Sequence, residues 1–190
     1  MPDSRDDRSL PSPNAEAFAA LLAELGVSHV VTIPDNTSAP LLDAIRAEAG
    51  LNLHFGTREG EAISLAAGLW LGGASPAVII QNTGLLESGD GLRGTASRMG
   101  APLLLFVTCR GYAKSRAFGK EPHEVEVSRD MLVRADLDSV AHMTESTLRA
   151  WGIPFLHLRD PADLAPLRDG WALAQEEERP VAVLIDASFT

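Results

Sequence analysis

The chain has 190 residues, 45% of them hydrophobic, which suits one domain with a buried core and is too apolar for a disordered polypeptide. Its formal charge of -10 argues against a binder of nucleic-acid backbones, because that task needs a basic stripe. Cys109 is the single cysteine, so an internal disulfide and a cysteine-built zinc site are ruled out, and a reducing, cytoplasmic setting fits.

Met1 to Pro13 is charged and proline-bearing without an apolar h-region, and reads as a flexible tail, neither signal peptide nor membrane anchor. The domain is expected over residues 14–190. Asn14 is placed to cap a helix with Phe18, Leu21, Leu22 and Leu25 on one stripe, and Gly26 ends it. The β-branched run His29 to Ile33 is closed by Pro34, and Asp35-Asn36-Thr37-Ser38 leads into a helix carrying Leu41, Leu42 and Ile45. Leu51 to Phe55 reads as the next strand, and a charged turn then opens a helix from Glu59. Ala77 to Gln81 is a strand followed by Asn82-Thr83-Gly84 and a weaker helix ending near Met99.

Leu103 to Thr108 is a near-continuous apolar run, the pattern of a parallel strand covered on both faces. The longest apolar stretch, Ala101 to Cys109, is far short of the roughly twenty residues that span a bilayer. Between Arg110 and Asp138 charge dominates and periodicity fades, which reads as a solvated loop with a short helix from Ser128; loops this long are often lids. Order returns with a helix from Thr144 to Trp151 and a strand from Phe155 to Leu158. Asp160-Pro161 resembles a helix start, but Pro166 lies too deep for one clean helix and splits the segment in two, the second piece carrying Leu167, Trp171 and Ala174. Val181 to Ile185 is a last buried strand. The alternation implies an α/β domain: three layers, a mostly parallel sheet of about six strands, helices on both faces.

The feature to explain is a carboxylate at a strand-to-helix turn. Glu59 lies where ligands collect in parallel sheets, since loops and helix N-termini converge on that rim. Spacing alone leaves a second reading open, in which Glu59 and Glu61 simply favour the positive end of the helix dipole. Gly89-Asp90-Gly91-Leu92-Arg93-Gly94 has the spacing of a dinucleotide fingerprint, yet it does not follow a strand directly, and Glu87 and Asp90 would repel phosphate. None of the five histidines, His29, His54, His123, His142 and His157, forms an i, i+4 ligand pair. No G-x-S-x-G elbow anchors a hydrolase triad.

Thr57-Arg58-Glu59, Ala66-Ala67-Gly68, Gln81-Asn82-Thr83-Gly84 and Cys109-Arg110-Gly111, with Ile33-Pro34-Asp35 before and Gly152-Ile153-Pro154 after, stand in a fixed order. In that order the chain resembles sulfopyruvate decarboxylase α subunits and the N-terminal half of phosphonopyruvate decarboxylases. The part resembled is the pyrimidine-binding (PYR) domain of thiamine diphosphate enzymes, over most of residues 14–187.

The resemblance implies that Glu59 hydrogen-bonds N1′ of the cofactor's aminopyrimidine and promotes its imino tautomer, while Glu61 has no such role. It implies cofactor contacts from Pro34, Asn82, Thr83 and Gly84, a proton-handling role for Asp35, and substrate contacts from Asn82 and Arg110; His123, in the charged loop, is placed either to reach a substrate or to serve as a surface residue. Arg110, helped by Lys114 or Arg116, is the candidate for a distal sulfonate or phosphonate, because guanidinium offers paired donors to such oxyanions. The family binds diphosphate and Mg²⁺ in a second (PP) domain through Gly-Asp-Gly and a later asparagine. Gly89-Asp90-Gly91 imitates the first part, but no asparagine follows Asn82. The expectation is therefore a separate PP-domain (β) subunit holding the Mg²⁺, with no metal ligand on this chain. The active site would lie at the boundary of a hetero-oligomer, or the isolated chain would form a homodimer.

The expected activity is decarboxylation of a 3-sulfo- or 3-phosphono-substituted pyruvate. The extension from Val125 to Asp138 departs from the family's shorter loop and bears on the substrate. Carboligation of the acetolactate synthase kind and a noncatalytic binding module are the alternatives.

Overall fold

The computed structural model describes residues 13–117 and 119–189. The expected tail lies outside the described residues except for Pro13, which opens the first helix, so Asn14 sits within that helix and does not cap it. Six strands follow one another: β1 (His29–Thr32), β2 (Asn52–Phe55), β3 (Pro76–Gln81), β4 (Leu104–Thr108), β5 (Phe155–Leu158) and β6 (Val181–Ile185). They form one sheet in the order β2-β1-β3-β4-β6-β5, and every neighbouring pair is parallel. The helices are α1 (Pro13–Glu24), α2 (Ala39–Ala47), α3 (Glu59–Leu71), α4 (Asn82–Glu87), α5 (Ser97–Met99), α6 (Tyr112–Ala117), α7 (Arg129–Leu132), α8 (Ser139–Ala150) and α9 (Ala165–Glu177).

Two apolar layers explain why the chain takes this form. On one face Phe18, Leu22, Leu41, Ile45, Leu167 and Ala174 from α1, α2 and α9 pack on Val30, Ile79, Phe106 and Val183. On the other, Ala62, Ile63, Ala66, Leu85 and Leu148 from α3, α4 and α8 pack on Val31, Val78, Ile80, Val107 and Leu184. Alternate residues of each central strand thus serve opposite layers, and all five residues of β4 and of β6 are buried. Phe18 meets Phe106 edge to face with ring centroids 4.8 Å apart. No described helix is long and apolar enough to cross a membrane.

The path of the chain creates the rim on which the site is built. From β1 the chain moves outward to the edge strand β2 over the α2 layer, then returns past β1 to β3 over the α3 layer. Connections therefore leave β1 and β3 in opposite directions, and a crevice opens at their carboxyl ends. The turns before α3 and α4 both reach it.

Four regions differ from the sequence expectation; in one, Asp160-Pro161 lies in a turn and opens no helix, so the segment holds the single helix α9 with Pro166 in its first turn. The helix after β3 begins at Asn82 itself and is interrupted: α4 gives way to a π-helical stretch, Gly91–Ala96, before α5 closes it at Met99. The helix expected from Thr144 begins five residues earlier at Ser139, because Val140 and Ala141 are buried and extend its apolar side. The segment from Arg110 to Asp138 is folded, with α6, a 3-10 turn at Pro122–Glu124 and α7, and the Ser128 hydroxyl caps α7 by accepting from the Met131 N–H at 3.2 Å. Single apolar anchors, Tyr112 and Met131, hold it down where no periodic stripe exists.

Candidate active site

Glu59 is the first residue of α3, and its neighbours are each committed to a structural task. The Glu61 carboxylate accepts from the Thr57 hydroxyl at 2.5 Å and the Thr57 N–H at 2.8 Å, which closes the turn. Those bonds hold the Glu61 carboxyl below the usual range, so it is a fixed anion of the turn. Glu87, at the end of α4, accepts the Gly60 N–H at 2.6 Å and pairs with the Arg58 guanidinium at 3.2 Å.

Glu59 differs from all of these. It is half-buried, and its carboxylate has no hydrogen-bond or ion-pair partner among the described residues. Its side chain lies on the Cα of Gly84: a Cβ built there would stand 2.2 Å from Glu59 Cγ and 2.3 Å from Oε1. Only glycine leaves that space. About two turns further on, Gly91 of the π-helical stretch lies against the Gly60 carbonyl, which an added Cβ would approach to 2.9 Å. The expanded π turn and its glycine thus let the first turn of α3 settle onto the α4 helix.

Asn82 is fully buried. Its amide donates to the Arg110 carbonyl at 2.9 Å and the Thr144 hydroxyl at 3.2 Å, and its carbonyl oxygen accepts the Arg110 N–H at 3.2 Å. The side chain is a bracket for the Arg110 backbone and offers no free polar atom to a ligand. Arg110 projects outward, held through Nε by Asp138 at 2.9 Å, and its side chain remains 60% exposed, which leaves its terminal nitrogens available. Asn82→Ala is expected to cost about 2 kcal/mol, since it orphans buried polar groups, and to raise KM for an anionic substrate by loosening Arg110. Urea denaturation and steady-state kinetics check the two effects.

The remaining expected site residues are dispersed around the rim. The Asp35 carboxylate accepts the N–H groups of Thr37 at 2.6 Å and Ser38 at 3.0 Å and the Ser38 hydroxyl at 2.9 Å, so it organises the turn into α2. Pro34 is exposed beside it, in a cleft of about 380 Å³ shared with Phe55. Thr83 is exposed next to Gly84, its hydroxyl donating to the Gln81 side chain at 3.2 Å. A second cleft, of about 430 Å³, runs from Asn36 and Thr37 past Cys109 and Gly111 to Arg116 and Asp186. Arg116 is neutralised there by Asp186 and Glu121 and is not a free cation. Burial pushes the Cys109 thiol up to about 12, so it is no nucleophile.

His123 lies beside the buried Glu145, whose Oε1 is 3.8 Å from His123 Nδ1 and 3.5 Å from His157 Nε2 while Arg149 takes Oε2 at 2.8 Å. Burial holds the His157 imidazole below the usual histidine range, against the opposing pull of Glu145. The unfolded chain therefore takes that proton more readily. The stabilising contribution is complete above the ordinary value of 6.5 and is lost as pH falls through the lowered folded value. Lowering the pH from about 7.5 to about 5 is expected to reduce the urea midpoint more in the wild type than in His157→Gln.

The structure thus joins Glu59 to Gly84, and Asn82 to Arg110, on adjacent turns, and leaves Asp35 and His123 in networks of their own. Glu87, Thr144 and Asp138 escaped the sequence reading. The only available signal was Glu87 standing three residues after Gly84, on one helical face.

The family model described as "Thiamine pyrophosphate enzyme, N-terminal TPP binding domain" matches residues 14–131, more than half of the chain. The chain belongs to this family. Among its relatives, the sulfopyruvate decarboxylase subunit alpha of Methanococcus maripaludis is 24% identical over 176 residues, which is 92% of this chain and 95% of that subunit. A phosphonopyruvate decarboxylase of Streptomyces viridochromogenes is 33% identical over 97 residues, 51% of this chain but 24% of that protein. The fold is shared with benzoylformate decarboxylase from Polynucleobacter necessarius at a TM-score of 0.65 and 18% identity, covering 92% of this chain and 29% of that one.

The residues present fit one end of thiamine diphosphate. Glu59, half-buried over Gly84 and without a carboxylate partner among the described residues, is a group able to share a proton with a ring nitrogen such as that of the aminopyrimidine. For the other end, no group of His, Cys, Asp and Glu among the described residues is arranged to hold a metal ion. Asp90 pairs with Arg93 at 2.6 Å, and Gly91 lies within a helix whose amides bond along its axis, so Gly89-Asp90-Gly91 makes no phosphate cradle.

Proposed function

We propose that this chain is the PYR-domain subunit of a heteromeric thiamine diphosphate-dependent decarboxylase acting on a 3-sulfo- or 3-phosphono-pyruvate-like 2-oxo acid in the cytoplasm. The observation that carries the reading is the half-buried Glu59 carboxylate, unpartnered over Gly84 on the carboxyl rim of the sheet. A PP-domain subunit holds the diphosphate and Mg²⁺ and meets this rim. Relatives named as alpha subunits, aligned over nearly their whole length, support a partner of that kind.

Bound thiamine diphosphate supplies the electron sink on which loss of CO₂ from a 2-oxo acid depends. Glu59 holds and shares a proton at the aminopyrimidine nitrogen N1′, and its partial burial on Gly84 keeps water from competing for it. Thr83 and Pro34, both exposed on the same rim, would contact the ring, and Gly84 would leave room for Glu59 to reach it. Asn82 fixes the Arg110 backbone, and the terminal guanidinium nitrogens bind the distal oxyanion of the substrate. Asp35 organises the turn at the substrate side, while His123 is held at Glu145 and takes no part there.

The test is CO₂ release from 3-sulfopyruvate and 3-phosphonopyruvate by this chain mixed with a PP-domain subunit, thiamine diphosphate and Mg²⁺. Release that needs both chains and the cofactor supports the reading. A mixture that binds no cofactor by calorimetry, or turns over neither acid, overturns it.

A further inference from the structure

Glu87 grips both neighbours of Glu59 in sequence. Its Oε2 accepts the Gly60 N–H at 2.6 Å and its Oε1 meets Arg58 Nε at 3.2 Å, so the residues before and after Glu59 are tied to one carboxylate. Gly84, on whose Cα the Glu59 side chain rests, lies one turn earlier on the same helix. α4 therefore carries both the floor for the Glu59 side chain and the clamp on its backbone. The Gly60 N–H is one of the donors that a helix leaves without an intrahelical partner, and at 2.6 Å its bond to an ionised carboxylate is of the strong, charge-assisted kind. The Gly60 Cα lies so near that an added Cβ would stand 3.3 Å from Glu87 Oε2.

From this geometry we propose that Glu87 is a positioning residue for Glu59. It fixes where the first turn of α3 begins, and hence where the Glu59 carboxyl stands above Gly84. The proposal rests on the assignment of Glu59 to the cofactor ring, and Glu87 itself touches no substrate or cofactor. Its carboxylate also occupies the positive end of the α3 dipole, so that end is satisfied from within and offers nothing to an external anion.

The test uses Glu87→Ala, which removes both contacts, and Glu87→Gln, which keeps an acceptor for Gly60 and loses the pairing with Arg58. In the complete complex, Glu87→Ala is expected to lower kcat at least tenfold, because a misplacement near 1 Å costs up to about 100-fold. KM for the 2-oxo acid should stay within about twofold, as nothing that holds substrate has moved. Glu87→Gln should recover part of the loss. In the full chain without cofactor or partner, hydrogen exchange at the Gly60 amide should be slow in the wild type, fast in the alanine variant and intermediate in the glutamine variant. An unchanged kcat in Glu87→Ala overturns the proposal. So does a parallel loss of kcat and rise of KM with no recovery by glutamine, which marks a general loss of fold. If the wild-type complex shows no cofactor-dependent turnover, the assignment of Glu59 fails, and Gly60 exchange alone then decides whether the Glu87 clamp exists.

Discussion

Glu59→Gln is expected to lower turnover of the complete complex on the order of 1,000-fold, the scale lost when a positioned proton-sharing group is removed. Glutamine keeps the length and shape of the side chain and rests on Gly84 as glutamate does. It forms no new clash, and since the Glu59 carboxylate has no protein partner to lose among the described residues, stability should hardly change. That separation makes the variant informative: thermal melting of the chain is expected to stay within a few degrees of wild type, about the effect of less than 1 kcal/mol, while CO₂ release nearly vanishes. Comparable turnover by the glutamine variant contradicts the role of Glu59. The same substitution at Glu61 removes only a closure of the turn with Thr57, and its effect should be small by comparison.

Gly84→Ala is expected to have the second largest effect, about 100-fold on kcat. A Cβ at this position would stand 2.2 Å from Glu59 Cγ, well inside van der Waals contact, so the two groups cannot keep their places. The atoms that must move belong to a flexible side chain, not to backbone. The least costly response is for Glu59 to swing off its floor, and the protein remains folded. Activity therefore falls far more than the urea midpoint does. Because both substitutions remove one function, the double variant should be no slower than Glu59→Gln alone, whereas independent losses would multiply. Wild-type kcat in Gly84→Ala contradicts the packing on which the site is built.

Much of this architecture is legible in the residues. β4 and β6 announce themselves as uninterrupted apolar runs because both faces of each are covered, and Glu59 stands out because a charged turn follows an apolar strand and precedes a helix of small residues. The carboxylate's isolation could not be read in the same way, since it depends on what its neighbours do. Glu61 is consumed four residues away by Thr57, a local pattern, but Glu87 reaches Gly60 across 27 positions. Asn82 and Thr144 meet across 62. Local periodicity carries no record of such pairings.

The segment from Arg110 to Asp138 shows the same limit. Its charges read as solvated, yet Arg110 pairs with Asp138, and Arg116 pairs with Glu121 and with Asp186, 70 positions on. Those pairs, with buried Tyr112 and Met131, turn an apparent loop into a folded wall of the larger cleft. Ion pairs of this sort at partly exposed sites contribute little stability each, but the one with Asp138 fixes where Arg110 points. Under the proposed function, the distal anion of the substrate would meet a guanidinium held by backbone bracket and counter-charge alike.

The position of Glu59 relative to the cofactor is decided most directly by determining the structure of this chain bound to its PP-domain partner with thiamine diphosphate and Mg²⁺. The expected result is a Glu59 carboxyl oxygen within about 3 Å of the aminopyrimidine nitrogen N1′, at the boundary between the two chains, with the diphosphate and metal held by the partner. A Glu59 side chain directed into solvent away from that boundary, or a ring bound without it, would contradict the assignment.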